Sequence, residues 1–180
     1  MTHYSTRIAK TLMRYLYKGG AQMLVFDKRK GKIEFLRSGC ERIVYFRYVI
    51  QVDKKGYSVT LHCPIAPCSK DAAAMAAIAE YLSLINETMV FGTNDGHLEG
   101  YFDLDCHDGV ITFKFFVDCY MRLIASVIRD SIEWPEIDMI RAVPGILDIL
   151  FCGRTAEAAL ADYHQRLESS LEILLPKENA

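Results

Sequence analysis

The chain predicts an α+β fold, an antiparallel β-sheet with helices packed on one side, and three observations predict it. Six short segments carry strand-like patterning and are joined mostly by short polar turns, which connect antiparallel neighbours. One long alanine-rich segment with helical periodicity interrupts them. The last third reads as helix almost throughout. At 180 residues, with 51% hydrophobic and 24% charged residues, the chain reads as one soluble domain, 1–180, able to bury a core without staples.

Taken in order, Ile8, Leu12, Tyr15 and Leu16 recur at helical spacing, so residues 5–18 read as an amphipathic helix stopped by Gly19-Gly20. "QMLVFD" (22–27) and "KIEFLR" (32–37) read as strands around a basic turn, and the cluster Lys28, Arg29, Lys30, Lys32 reads as its solvated surface. "IVYFRYVIQV" (43–52) sets Val44, Phe46, Tyr48, Ile50 and Val52 on one side. Its apolar character on the other side too predicts a central strand covered on most of both faces. "YSVTLHC" (57–63) alternates, with Tyr57, Val59, Leu61 and Cys63 inward and Ser58, Thr60 and His62 outward. The turn Asp53-Lys54-Lys55-Gly56 makes these two strands an antiparallel pair.

Pro64 and Pro67 end that strand, and Ser69 reads as the N-cap of a helix from about 70 to 88 with Asp71 in its first turn. Met75, Ile78, Leu82, Ile85 and Met89 form its stripe, and the alanines between them predict close packing against the sheet. Asp108-Gly109 is a hairpin-turn signal. With those two residues as the loop, Leu104 faces Phe113, Phe102 faces Phe115, and Asp103 faces Lys114. From Tyr120 the chain is helical: Leu123, Val127 and Ile128 form one segment, and Pro135 restarts the helix near Glu136. Ile140, Val143, Leu147 and Leu150 follow as its apolar side, with a kink or break at Pro144. After Gly153, Thr155 caps a last helix with the stripe Leu160, Tyr163, Leu167, Leu171 and Leu174.

A net charge of -2 lacks the electrostatic footprint of a nucleic-acid binder. No apolar run approaches the ~20 residues needed to span a bilayer. The N-terminal segment keeps Arg7, Lys10 and Arg14 inside its apolar pattern, unlike a signal peptide. Six cysteines in such a chain point to free thiols in a reducing compartment, and hence to the cytoplasm.

Three clusters look like chemistry. His62, Cys63 and Cys68 resemble metal ligands, but neighbours in a strand point to opposite faces, and Cys63 reads as a small buried hydrophobe. Cys106-His107-Asp108 lies in the hairpin turn, where adjacency in sequence does not join a thiol to a base. Glu99, Asp103 and Asp105 alternate along one strand face beside Lys114, as on a solvated sheet. Cys40, Cys119 and Cys152 have no partner spacing, and no phosphate-binding, zinc-protease or nucleophile-elbow motif is present. The expectation is therefore no catalytic residue, no metal ligand and no cofactor.

Two stretches carry a resemblance. "AAIAEYLSLINETMVFGTNDGHLEGYFDLDCHDGVITFKFFVD" (76–118) holds a Leu-x-x-x-Asn helix end, an apolar-Phe-Gly stretch, an aliphatic-acidic strand, an Asp-Gly turn and a Phe-rich strand. "MIRAVPGILDILFCGRTAEAAL" (139–160) is similar to a Pro-Gly-Ile-x-x-Ile-x-x-Gly run before a small-residue helix, with its closing Gly153 one residue later than in that run. Both resemble the YbjN-type family, with similarity over about 56–165 and only the order of elements shared before it. The resemblance implies a fold like that of type III secretion chaperones and a non-enzymatic, regulatory interaction protein of a bacterial cytoplasm. The expected partner is a protein or peptide, with pairing into a homodimer and no nucleic acid or membrane. The strand-rich part 21–52 departs from the family by extending the sheet or blocking the family's dimer surface. The apolar stripe of the last helix and an uncovered sheet edge also suggest self-association. The alternatives are a small-molecule sensor with a pocket between sheet and helices, and a cysteine-dependent redox protein.

Overall fold

The structure, a computed structural model, describes residues 3–38, 45–65, 71–89, 98–119 and 125–174. The order is α1 (His3–Lys18), β1 (Gln22–Asp27), β2 (Lys32–Ser38), β3 (Tyr45–Val52), β4 (Gly56–His62), α2 (Ala72–Thr88), β5 (Leu98–Leu104), β6 (Ile111–Asp118), α3 (Ala125–Cys152) and α4 (Ala156–Leu174). One six-stranded sheet runs β1-β2-β3-β4-β6-β5, antiparallel at every step. The first four strands form a meander. The chain then crosses through α2 to lay β5 on the far edge, and β6 returns between β5 and β4. Segment 21–52 extends the sheet, supplying three of its six strands.

Period-two patterning puts Ile33 and Phe35, Phe46, Tyr48, Ile50 and Val52, Tyr57, Val59 and Leu61, and Ile111, Phe113, Phe115 and Val117 on one buried face. Ile8, Leu12 and Leu16 of α1, with the buried residues of α2 and α3, cover it. The expectation that β3 is covered on both faces fails. Tyr45, Arg47 and Gln51 are exposed, because the helices pack on one face only, and aromatic and β-branched residues serve a strand on a solvated face as well. Val44 lies outside the described residues.

The hairpin keeps its faces but not its register. Phe102 pairs with Phe113, Tyr101 with Lys114 and Leu104 with Ile111, two residues away from the expected alignment. The loop is Cys106–Gly109: Asp105 N–H donates to Val110 O at 2.9 Å, and Gly109 N–H donates to Asp105 O at 2.8 Å. Gly109 holds φ 71°, and the Asp105 and Asp108 carboxylates accept from His107 N–H and Val110 N–H, each at 2.9 Å. Aspartates that cap amides two residues ahead favour a four-residue turn over a two-residue one. A slip of two preserves parity, so Phe102, Phe113 and Phe115 stay buried while Leu104 is half-buried. Asp103 reaches Lys114 diagonally, at 2.5 Å.

Helix α2 begins at Ala72. Its cap is Asp71, whose Oδ1 accepts from Ala73 N–H at 2.9 Å and Ala74 N–H at 3.4 Å; Ser69 lies outside the described residues. Ile78, Tyr81, Leu82 and Ile85 are its buried residues, and no alanine of α2 is buried. Ala72, Ala73, Ala76 and Ala79 face solvent, on the side opposite Ile78 and Ile85. The larger correction concerns α3, one continuous helix of 28 residues through both Pro135 and Pro144. A proline inside a helix removes one hydrogen bond and costs about 3 kcal/mol. The buried line Ile128, Ile132, Pro135, Met139, Ala142, Ile146 and Ile149 runs straight across both, so packing outweighs local propensity. Tyr163 of α4 is buried, and Leu160 and Leu167 pack on the core, so this half of the α4 stripe is satisfied inside the chain.

Candidate interaction surface

Directional bonds fix the rotation of α3 about its axis. The buried Tyr48 hydroxyl of β3 lies 3.0 Å from Glu136 Oε2 and 3.2 Å from Ile132 O. Burial pushes the Tyr48 phenol far above its usual range, and the Glu136 charge adds to the effect. Arg37 of β2 completes the group, with Nη1 3.4 Å from Glu136 Oε2 and Nη2 3.4 Å from Glu133 Oε1. Burial works against the Arg37 charge, but Glu136, Tyr48 and Glu133 outweigh it and its pKa rises. Further along, Tyr57 Oη and Ser131 Oγ share a 2.9 Å hydrogen bond. Tyr81 of α2 donates to Ala142 O at 3.2 Å and lies where a Cβ on Gly145 would be, which explains the glycine after Pro144.

With that rotation fixed, the opposite side of α3 faces out. Ile137, Ile140, Pro144, Leu147 and Phe151 follow one another at spacings of three and four, with no charged residue among them. Ile137 is 38% exposed, Ile140 42% and Phe151 79%, while Pro144 and Leu147 are half-buried. Glu133, bound to Arg37, ends the line one turn earlier. Trp134, Arg141 and Asp148 flank it on one side. Buried Asp138 lies 3.6 Å from Arg141 Nη1; burial raises its pKa to about 6, and Arg141 pulls it the other way. An apolar line about four turns long, held outward by buried bonds on the other side, is the candidate interaction surface among the described residues.

The residues that look like chemistry in the sequence are placed as follows. His62 sits half-buried on the open face of the sheet, opposite Arg47 and Thr112, and burial, then Arg47, lowers its pKa. Cys63 turns toward the core, where burial raises its thiol to about 11. Cys68 and Cys40 lie outside the described residues. Cys106, His107 and Asp108 form the exposed hairpin turn, with Cys106 Sγ 4.0 Å from Leu104 O. Asp103 binds Lys114, and Asp105 serves the turn; the Glu99 side chain lies outside the described residues. Cys119 is buried with its thiol raised to about 11, and Cys152 is exposed at the end of α3. Among the described residues no three His, Cys, Asp or Glu side chains group closely enough to hold a metal ion, and no helix is long and apolar enough to cross a membrane.

Two further features lie elsewhere. On the open face, Ser58, Thr60, Tyr101, Lys114 and Phe116 line a shallow groove of about 410 Å³. At the β5 edge, Asn86 of α2 donates Nδ2–H to Phe102 O at 2.9 Å and accepts from Phe102 N–H at 2.7 Å. One side-chain amide thus occupies the backbone groups that another strand would take. Sequence reasoning missed both Asn86 and the outward line of α3. The line is readable at spacings of three and four once the helix is known to pass both prolines.

Comparison with protein-family models, with curated proteins and with solved structures returns no match.

Proposed function

We propose that this chain is a non-enzymatic protein-interaction module, chaperone-like or regulatory, that binds a protein or peptide partner on the outward face of α3. The observation that carries the reading is the line Ile137, Ile140, Pro144, Leu147 and Phe151, apolar throughout, with Ile137, Ile140 and Phe151 exposed although the helix has a complete buried face of its own. Exposed apolar surface costs solubility and aggregation resistance, and contiguous patches of it mark interaction sites. Membership of the YbjN-type family, action in the cytoplasm and an activity that needs no catalytic residue or cofactor belong to the same proposal. The α+β order of elements and the two motif-bearing stretches support it. The void between α1 and the sheet, lined by Tyr15, Phe35, Arg37 and Ile132, measures about 30 Å³. That is room for a single water, which favours the interaction reading over a sensor with a ligand pocket there.

The test is capture of partners from the native cell by the full chain, run beside an Ile140→Glu, Phe151→Glu variant. The expected result is a partner, identified by mass spectrometry, that binds the native chain and is lost from the variant while both melt at the same temperature. Identical partners on both proteins would overturn the reading.

A further inference from the structure

We propose that two copies of this chain pair through α3, antiparallel, along the line from Ile137 to Phe151. The inference rests on the reading of that line as an interaction surface and names its occupant as a second copy of the chain. Spacings of 3, 4, 3 and 4 are the a and d positions of a heptad, the period at which two helices interdigitate at a shallow crossing angle. A helix that packs only on its own sheet needs one apolar face, and α3 has that face already, made by Ile128, Ile132, Met139, Ala142, Ile146 and Ile149. The second face repeats at the same spacings of three and four and lies on the other side.

Charge decides between occupants and between orientations. Arg141 and Asp148 are seven residues apart on the same flank of the line, both at the heptad position that faces its own equivalent when two helices run antiparallel. About a two-fold axis beside Gly145, Pro144 of one copy lies opposite Leu147 of the other, and Ile140 opposite Phe151. Arg141 then lies across from Asp148, and symmetry makes that pair twice. In a parallel pair, Arg141 would instead lie near the other copy's Glu136, which is buried against Tyr48 and Arg37. Inside one chain Arg141 Nη1 lies 3.6 Å from Asp138 and Asp148 lies 3.4 Å from Arg154 Nη1. The side chains of Arg141 and Asp148 remain 19% and 36% exposed, and a guanidinium has donors for a second carboxylate. A helix from an unrelated protein could fill the apolar line, but the matched charge pattern is built into this chain.

About four turns of helix from each copy bury on the order of 1,000 Å² in total, below the ~1,200–2,000 Å² of stable interfaces, so the pair is expected to dissociate in the micromolar range. Sedimentation equilibrium of the full chain, from low micromolar to a few hundred micromolar, tests this. The native chain should move from 20.5 kDa toward twice that mass. Arg141→Asp alone and Asp148→Arg alone should each raise the dissociation constant about tenfold, since each sets like charges opposite one another at two places. The double variant R141D/D148R should bring it back to within a few fold of the native value. Melts at dilution confirm that each variant is folded. A mass of 20.5 kDa at every concentration overturns the proposal, and so does a dimer indifferent to the single reversals or not rescued by the double one. A monomer that still loses a captured partner on Ile140→Glu, Phe151→Glu substitution refutes self-pairing but leaves the interaction reading standing. A monomer that captures nothing refutes both.

Discussion

The two sides of α3 are nearly equal in apolar content and opposite in kind. The inward side mixes Ile132, Met139, Ala142 and Ile146 with buried Ser131, Glu136 and Asp138; Ser131 and Glu136 have hydrogen-bonding partners, Tyr57 and Tyr48, and Glu136 and Asp138 have ion-pair partners, Arg37 and Arg141. The outward side from Ile137 to Phe151 has no polar residue in its line. Hydrophobic burial is non-directional and tolerates sliding and rotation, whereas a buried hydroxyl or carboxylate is satisfied in one setting. The inward polar groups therefore set the phase of the helix. The exposure of the outward line follows from that phase.

Substitutions that separate the two sides break or sharpen this contrast. The largest effect is expected from Ile146→Ala on the inward side, a cost of about 2–5 kcal/mol by denaturant unfolding, against a change within about 0.5 kcal/mol for Ile140→Ala in the dilute monomer. Comparable losses at both positions would show that the outward line is part of the core. Next comes Arg37→Ala. Glu136, whose side chain is 4% exposed, would keep the Tyr48 hydroxyl but lose its countercharge, at a cost of roughly 3 kcal/mol by the same measurement. A neutral result would remove the ion pair from the elements that orient α3.

The last effect is a pH dependence. Burial raises the folded pKa of Asp138 to about 6 from its ordinary 3.8, so the folded state holds this proton more tightly than the unfolded chain does. The resulting stability is fully present below the ordinary value and is lost as pH rises through about 6. Stability should thus fall by up to about 3 kcal/mol between the two and level off above. Asp138→Asn should remove that fall and gain stability at neutral pH. Urea melts across this window that show the same slope for both proteins would contradict the assignment.

Particular residues show how much of this was legible in the sequence. The faces of β3, β4 and β6 follow from alternation alone, and even the misread hairpin register left Phe102, Phe113 and Phe115 on the buried side, since a slip of two keeps parity. Turn length was not legible, because the aspartates that shape the loop act through their own side chains on nearby amides. On α3 the sequence sets Ile140 and Leu147 on the core side with a kink or break at Pro144, whereas the helix continues through Pro144. A helix with apolar residues on two sides has no phase in its sequence; Tyr48, Tyr57 and Tyr81, distant in the chain, supply it. Asn86 was equally hidden, since nothing local marks a side chain that closes a sheet edge.

The central claim is that the outward line of α3 is covered in solution by a second copy, and thiol labelling of an Ile140→Cys variant tests it most directly. Exposed Cys106, in the hairpin turn on the far side of the sequence, serves as the internal reference. Labelling rates at both sites would be followed by peptide mass spectrometry from low micromolar to several hundred micromolar protein. The account predicts that Cys106 reacts at one rate throughout while the thiol at position 140 slows at least severalfold as concentration rises. A position-140 rate that does not change with concentration would contradict it.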